Sequence, residues 1–209
     1  PLWYEERGVR TDVVDIDPEI IHLASQYFGF AVTGEVVIED ARYFLANGSK
    51  RYDYLIMDVF NGEAAPPHII STEALGVLKK RLMPGGVLAI NYHGRLDGDT
   101  LMAASVVKTL KQTFDQVDLY PVFDPTVTPA IGNVCVVAYD GEAVNLPPGL
   151  AGRFPIHPSA RPVVAQALRE KFRLPADAPA ITLNDNYNPI DCYDFEVREY
   201  TRRAILEAT

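Results

Sequence analysis

The chain has 209 residues, 48% of them apolar, and a formal net charge of -9. That length and apolar content support one large domain with a sizeable core and exclude disorder of the chain as a whole. The acid excess argues against a nucleic-acid backbone as partner, because phosphate contacts need clustered Lys and Arg. Bulk negative charge is compatible with a cationic substrate, although it mostly serves solubility, so only the local placement of carboxylates is informative. Cys135 and Cys192 have neither metal spacing nor a paired pattern and read as reduced thiols. With no run of 18 apolar residues and no signal peptide, the expectation is a cytoplasmic protein whose segment makes no membrane contact. The chain opens on Pro1 within a helix-like stretch, LWYEERG, as expected of an N-terminally incomplete fragment.

In chain order, Leu2 to Gly8 reads as the end of a helix closed by glycine, and Thr11 to Ile16 as a strand. Asp17 and Pro18 form a helix start, a capping side chain followed by a residue suited to the first turn. The helix runs to Phe28, with Ile20, Ile21 and Ala24 at helical spacing, and Gly29 ends it. Glu35 to Ile38 is a second strand, Ala41 to Leu45 a short helix, and Tyr54 to Met57 a buried strand stopping at Asp58. Ser71 or Thr72 caps a helix through Leu82, with Pro84-Gly85-Gly86 as stop signal before a strand from Val87 to Asn91. A helix over Gly98–Phe114 follows, then strands over Gln116–Tyr120 and Asn133–Tyr139, a helix over Val163–Phe172, a polar loop over Thr182–Tyr193 and a closing helix over Phe195–Ala208. Alternating strands and helices ending in a strand pair predict an α/β fold: one Rossmann-like, doubly wound, mostly parallel sheet with an antiparallel edge strand, spanning residues 1–209 as a single domain.

Three successive strands end in acid, at Asp15 (with Asp17), Asp40 and Asp58. In a parallel sheet these ends share one rim, where open α/β folds bind ligands. Each acid alone is weak evidence, since Asp after a strand is often a helix cap, and Asp17 before Pro18 fits that role. Asp15 is placed to accept the hydroxyls of a nucleoside ribose. Asp40 suits the amino group of a base, because a carboxylate only accepts.

VVDIDPEI, EDARYFL, YDYLIMDVFNGEAAPPHIISTEAL, KRLMPGGVLAIN and LNDNYNPID together resemble the polyamine aminopropyltransferase (spermidine synthase) family, in order, from about Asp12 to Asp191, and in particular its divergent, spermidine-synthase-like branch. The resemblance implies the fold of class I methyltransferases and transfer of an aminopropyl group from decarboxylated S-adenosylmethionine to a diamine or polyamine. It places Asp15 with Ile16 on the ribose, Asp40 and Ala41 on the adenine, and Asp58 as the first acid of a catalytic Asp-x-x-Asp loop. The second acid of that loop falls at Asn61, followed by Gly62-Glu63, and the family's first strand and Gly-rich turn are missing from this sequence. A homodimer is the assembly the resemblance implies.

Alkyl transfer from a sulfonium needs no covalent enzyme intermediate; the catalyst brings a neutral nitrogen into line with a carbon already activated by positive sulfur. The acceptor amine is protonated at neutral pH (pKa roughly 10, judged by lysine), so the site must bind a cation and then take a proton. Asp58 fits, with Asn61, Glu63 and Asp185 as partners. Tyr92, just past a strand, lines the crevice or is simply a core or rim tyrosine. Tyr187, Asn188 and Asp191 cover the substrate end, or their Asp-Asn and Asn-Pro pairs merely make turns. His68 between Pro and Ile reads as structural, and no histidine pair has metal spacing, so no metal is expected. Neither Ser71 nor Ser105 has the context of a hydrolase nucleophile. Two other readings stand: a methyltransferase using intact S-adenosylmethionine, and an inactive binding module of the same fold.

Overall fold

The computed structural model describes residues 1–59, 66–147, 149–169, 171–193 and 195–207. Tertiary contacts divide the chain into two units, Pro1–Lys50 and Arg51–Thr209.

The first unit is built on local signals. Helix α1 (Leu2–Glu5) leads to Gly8, whose φ of 72° is the left-handed turn glycine allows. Strand β1 (Val13–Asp15) pairs in parallel with β2 (Val36–Ile38). Between them runs α2 (Pro18–Phe28), with the bounds its caps dictate: Asp17 accepts the Glu19 N–H at 2.9 Å, and Gly29 closes the helix at φ 61°. Helix α3 (Ala41–Asn47) starts on Asp40, which accepts the Tyr43 N–H at 2.9 Å. An ion pair joins Lys50 to Asp12.

The second unit holds a four-stranded sheet, ordered β3-β4-β6-β5: β3 (Tyr52–Met57), β4 (Leu82–Arg95), β5 (Gln116–Pro121) and β6 (Ile131–Tyr139). β3 and β4 are parallel, joined through α4 (Thr72–Arg81). β6 runs antiparallel to both β4 and β5, so the antiparallel strand is interior and β5 is the edge. The physical reason lies in β6 itself, whose apolar run Val134–Tyr139 is suited to burial with a neighbour on either side. β4 begins five residues earlier than expected. Pro84-Gly85-Gly86 does not precede the strand but forms an irregularity within it, with Gly85 at φ 78°, where the register with β3 jumps from Tyr52↔Leu82 to Tyr54↔Val87.

One face of this sheet is the core. Leu88, Ile90 and Tyr92 of β4 lie opposite Ala138, Val136 and Val134 of β6, all fully or nearly fully buried. Helix α5 (Leu101–Leu110), adjoining β4 and α4, adds Met102, Val106 and Leu110 to the buried set. On the other face, Tyr54 and Ile56 of β3 are 60% and 52% exposed. Helix α6 (Arg161–Ala167) stops short of the expected Phe172, because Phe172 instead bridges to Leu119 of β5 through its N–H, at 2.9 Å. Helices α7 (Ile190–Tyr193) and α8 (Phe195–Glu207) end the chain, and α8 reaches β4 where Thr201 meets the His93 ring at 2.9 Å. No described helix is long and apolar enough to cross a membrane.

Candidate functional site

In the first unit, parallel pairing sets Asp15 opposite Ile38, and the Glu39 N–H donates to the Asp15 carbonyl at 2.9 Å. The carboxyl ends of β1 and β2 therefore form one rim, with Asp15 and Asp40 on adjacent strand ends. Asp15 accepts the Asp17 N–H at 2.9 Å, which fixes its carboxylate beside the turn into α2. Asp40 caps α3, and Ala41 is the first residue of that helix. Ile16 lies 71% exposed on the turn after β1. Two acids on a shared strand rim, each held by a backbone N–H and half-exposed, are suited to accepting hydroxyl and amino groups from one polar ligand.

In the second unit, Asp58 follows β3 directly and is exposed. Its Oδ1 accepts a hydrogen bond from Nδ2 of Asn91 at 2.8 Å. The bond follows from register: Met57, the last residue of β3, pairs with Ile90, so Asp58 leaves the strand beside Asn91, while β4 continues past it to Arg95. Asn91 is the functional candidate that sequence reasoning passed over. Its signal was a lone amide at the end of an apolar strand, but its role needs the β3–β4 pairing to become visible.

The neighbouring Tyr92 points to the opposite face and is 2% exposed, its ring lying over Gly94, where any Cβ would collide with it. Tyr92 also borders a cavity of about 230 Å³ at the end of β4, walled by Arg95, Asp99 and Met102 and, from the C-terminal segment, by Cys192 and Glu196. The Arg95 guanidinium is committed to acids, Nε to Asp97 and Nη1 to Glu196, each at 3.0 Å. Asp97 is held below the usual carboxylate range: burial works against its charge, but hydrogen bonds from the Ala130 backbone and Arg95 outweigh it. With Arg95 bonded to Asp97 and Glu196, the cavity wall suits a cation better than an anion.

The late polar motif has a clear structural part. Asp185 accepts the Ser71 hydroxyl at 2.6 Å, and Ser71 in turn caps α4 through the Ala74 N–H at 3.1 Å. The Asp185 N–H donates to Glu73 at 3.0 Å, and the Asn188 amide donates to the carbonyls of both Pro67 and Ile70 at 2.7 Å. This motif thus fastens the segment immediately before α4. Tyr187 is 55% exposed in a turn closed by Asn184. Asn61 and Glu63 lie outside the described residues. Among the described residues no cluster of His, Cys, Asp or Glu could hold a metal ion.

Comparison with known proteins agrees with this architecture. Residues 9–145 match the spermine/spermidine synthase domain. The chain is 36% identical over 130 residues to an N-terminal histidine N-methyltransferase of Emericella nidulans, covering 60% of this chain and 22% of that protein. It is 34% identical over 85 residues to a polyamine aminopropyltransferase of Vibrio vulnificus, covering 38% of this chain and 28% of that one. It thus spans about a quarter of the length of these relatives. Among solved structures, a probable spermidine synthase from Corynebacterium glutamicum superposes with a TM-score of 0.60 at 22% identity, over 70% of this chain and 53% of the other. Human methyltransferase-like protein 13, in complex with SAH, superposes with a TM-score of 0.57 at 20% identity, over 85% and 80%. These likenesses place the fold among class I methyltransferase-like α/β folds. The domain match covers well over half of the sequence, and the chain belongs to the spermine/spermidine synthase family.

Proposed function

We propose that this chain is the substrate-transforming part of a transferase that moves an aminopropyl group from decarboxylated S-adenosylmethionine to a diamine or polyamine. The observation that carries the reading is the Asp58–Asn91 pair, in which the residue that follows β3 is bonded to the neighbouring parallel strand β4, in a chain of this family. Asn91 occupies one carboxylate oxygen of Asp58 and orients the group, leaving Oδ2 for an ammonium N–H. The acceptor gives its proton to that carboxylate or to water. Its nitrogen lone pair then forms a bond to the donor carbon while the carbon–sulfur bond breaks, and the electron pair returns to sulfur as a neutral thioether. A proton acceptor positioned in this way is typically worth ~10²–10⁴-fold in rate. Asp15 and Asp40 are assigned to the ribose and adenine of the donor, with Ile16 and Ala41 beside them. Tyr92, 2% exposed with its ring on the face opposite Asn91, fits the core-tyrosine alternative better than a contact with the acceptor. Asn61, Glu63, Asp185 and Tyr187 keep their assignment to the acceptor side.

A second reading is supported by specific observations: a relative carrying the name of a methyltransferase, and a structural neighbour in complex with SAH that covers 85% of this chain. In that case the donor is intact S-adenosylmethionine and the group moved is methyl, with the same adenosine contacts. Incubation with each donor and a panel of amines and peptide N-termini, followed by mass spectrometry, separates the two. An aminopropyl gain supports the first reading and a methyl gain the second. No transfer from either donor, with donor binding retained, leaves only a binding module.

A further inference from the structure

Beyond β5, the edge of the second unit's sheet opposite β3, lies a cavity of about 450 Å³ that neither Asp58 nor Tyr92 borders. Three strand spacings of ~4.8 Å put it roughly 14 Å across the sheet from β3. Its walls come from the loop leaving β5 and from the segment after α6: Pro121, Phe123, Pro125 and Phe172 are apolar, and Arg169 and Arg173 are cationic. Two contacts fix the positions of the aromatic walls. Phe172 is tied to Leu119 of β5 by a backbone hydrogen bond at 2.9 Å. The Phe123 ring lies against Gly132 so closely that a Cβ there would displace it.

The polar groups at the rim divide unequally. Lys171 is paired with Asp118 at 2.8 Å. Asp124 is satisfied by the N–H and hydroxyl of Thr126, at 2.9 and 2.6 Å, and by Gln166. Arg169 and Arg173 have no carboxylate partner among the described residues, in a chain whose acids outnumber its Lys and Arg by 28 to 19. Two uncommitted guanidinium groups beside an apolar hollow are complementary to a planar oxyanion on an apolar body, because the guanidinium fork matches carboxylate and phosphate oxygens. The volume falls within the range of small-molecule sites, about 300–1,000 Å³.

We propose that this cavity binds a small organic anion, an aryl or alkyl group bearing a carboxylate or phosphate, with the apolar part between Phe123 and Phe172 and the anion on Arg169 and Arg173. The site is independent of the chemistry proposed at Asp58, so either can fail without the other. The test is an amide-resolved NMR titration of the full chain with phenylacetate, phenyl phosphate and the uncharged phenylacetamide. Both anions should shift Phe123 and Phe172, weaken with added salt, and bind at least ~10-fold more tightly than phenylacetamide, the advantage of a charge-assisted hydrogen bond. The preferred anion names the headgroup. Arg169→Ala with Arg173→Ala, both exposed side chains, should remove that advantage, and Ala167→Leu should block the hollow for all three probes. Equal affinity for phenylacetamide and phenylacetate, or unchanged anion binding in the double arginine variant with the spectrum otherwise intact, overturns the proposal.

Discussion

The two units use similar residues in opposite ways. In Arg51–Thr209, Leu88, Leu110, Val134, Val136, Leu183 and Ile190 are sealed from solvent. In Pro1–Lys50 the one hydrophobic side chain that is buried is Leu45, while Ile20, Leu23 and Tyr27 run as an exposed stripe along α2 and Phe28 is 76% exposed. Both units have well-formed caps and strand ends, so the difference is not one of local structure. Local signals shape the first unit; burial stabilises the second. A two-stranded sheet with three helices on so little buried area is below the size at which a chain holds itself together. The acids proposed for the site follow the same split, with Asp15 and Asp40 on the lightly packed unit and Asp58 on the well-packed one.

The largest effect that tests this contrast comes from separating the units. Residues 51–209 expressed alone should give dispersed amide spectra and a cooperative thermal transition, whereas residues 1–50 alone should show neither. A cooperative transition in the short fragment would break the comparison outright.

The next effect is catalytic and sharpens the split by role. Asp58→Asn keeps the size of the side chain but removes the proton acceptor, and should lower kcat by ~10²–10⁴ with whichever donor is active. Asp15→Asn should chiefly raise KM for the donor, because it weakens a contact made equally in ground and transition states. A variant pattern in which Asp15 governs kcat and Asp58 only KM would reverse the assignment. Asn91→Leu should resemble a mild form of Asp58→Asn, since it frees a carboxylate that the amide now orients.

Packing supplies a third test. Leu88→Ala empties a site with no exposure and should cost ~2–5 kcal/mol. Ile20→Ala removes a half-exposed side chain and should stay within ~0.5 kcal/mol. Chemical denaturation with tryptophan and circular-dichroism detection measures both. Equal losses would mean that the stripe on α2 is covered in solution.

What could be read from the sequence follows the same line between local and long-range causes. The bounds of α2 were legible because Asp17, Pro18 and Gly29 act within a turn or two of themselves. The strand ends at Asp15 and at Glu39-Asp40 were legible because acids closing a short apolar run mark a strand end, whatever the strand pairs with. The interior position of β6 was not, because it depends on β6 returning between β4 and β5 across a long loop. Nor was the early end of α6, set by the pairing of Phe172 with Leu119. Asn91 belongs to this second class, its partner Asp58 lying 33 positions away. Asp185 does as well: its sequence context suggests a turn or a ligand, and its hydrogen bond to Ser71 spans 114 positions.

The smallest effect concerns acid. Glu73 is held below its ordinary value of 4.5 by its own backbone N–H, the Asp185 N–H and the Thr72 hydroxyl. A carboxylate depressed in the folded state stabilises the fold above the unfolded value and loses that contribution as pH falls through the folded one. Stability of the segment joining α4 to Asp185 should therefore be level above about pH 5 and decline as pH drops below 4.5. Asp97 and Asp124, depressed for like reasons, add to the same limb within the second unit. Hydrogen exchange at the Asp185 amide reads the local part directly, since that N–H is the donor to Glu73. Glu73→Gln keeps an acceptor there but cannot titrate, so it should flatten the acid dependence of exchange at Asp185 while leaving that at Asp97 in place. An unchanged slope in the variant would mean that the clamp is set by the Ser71–Asp185 bond alone.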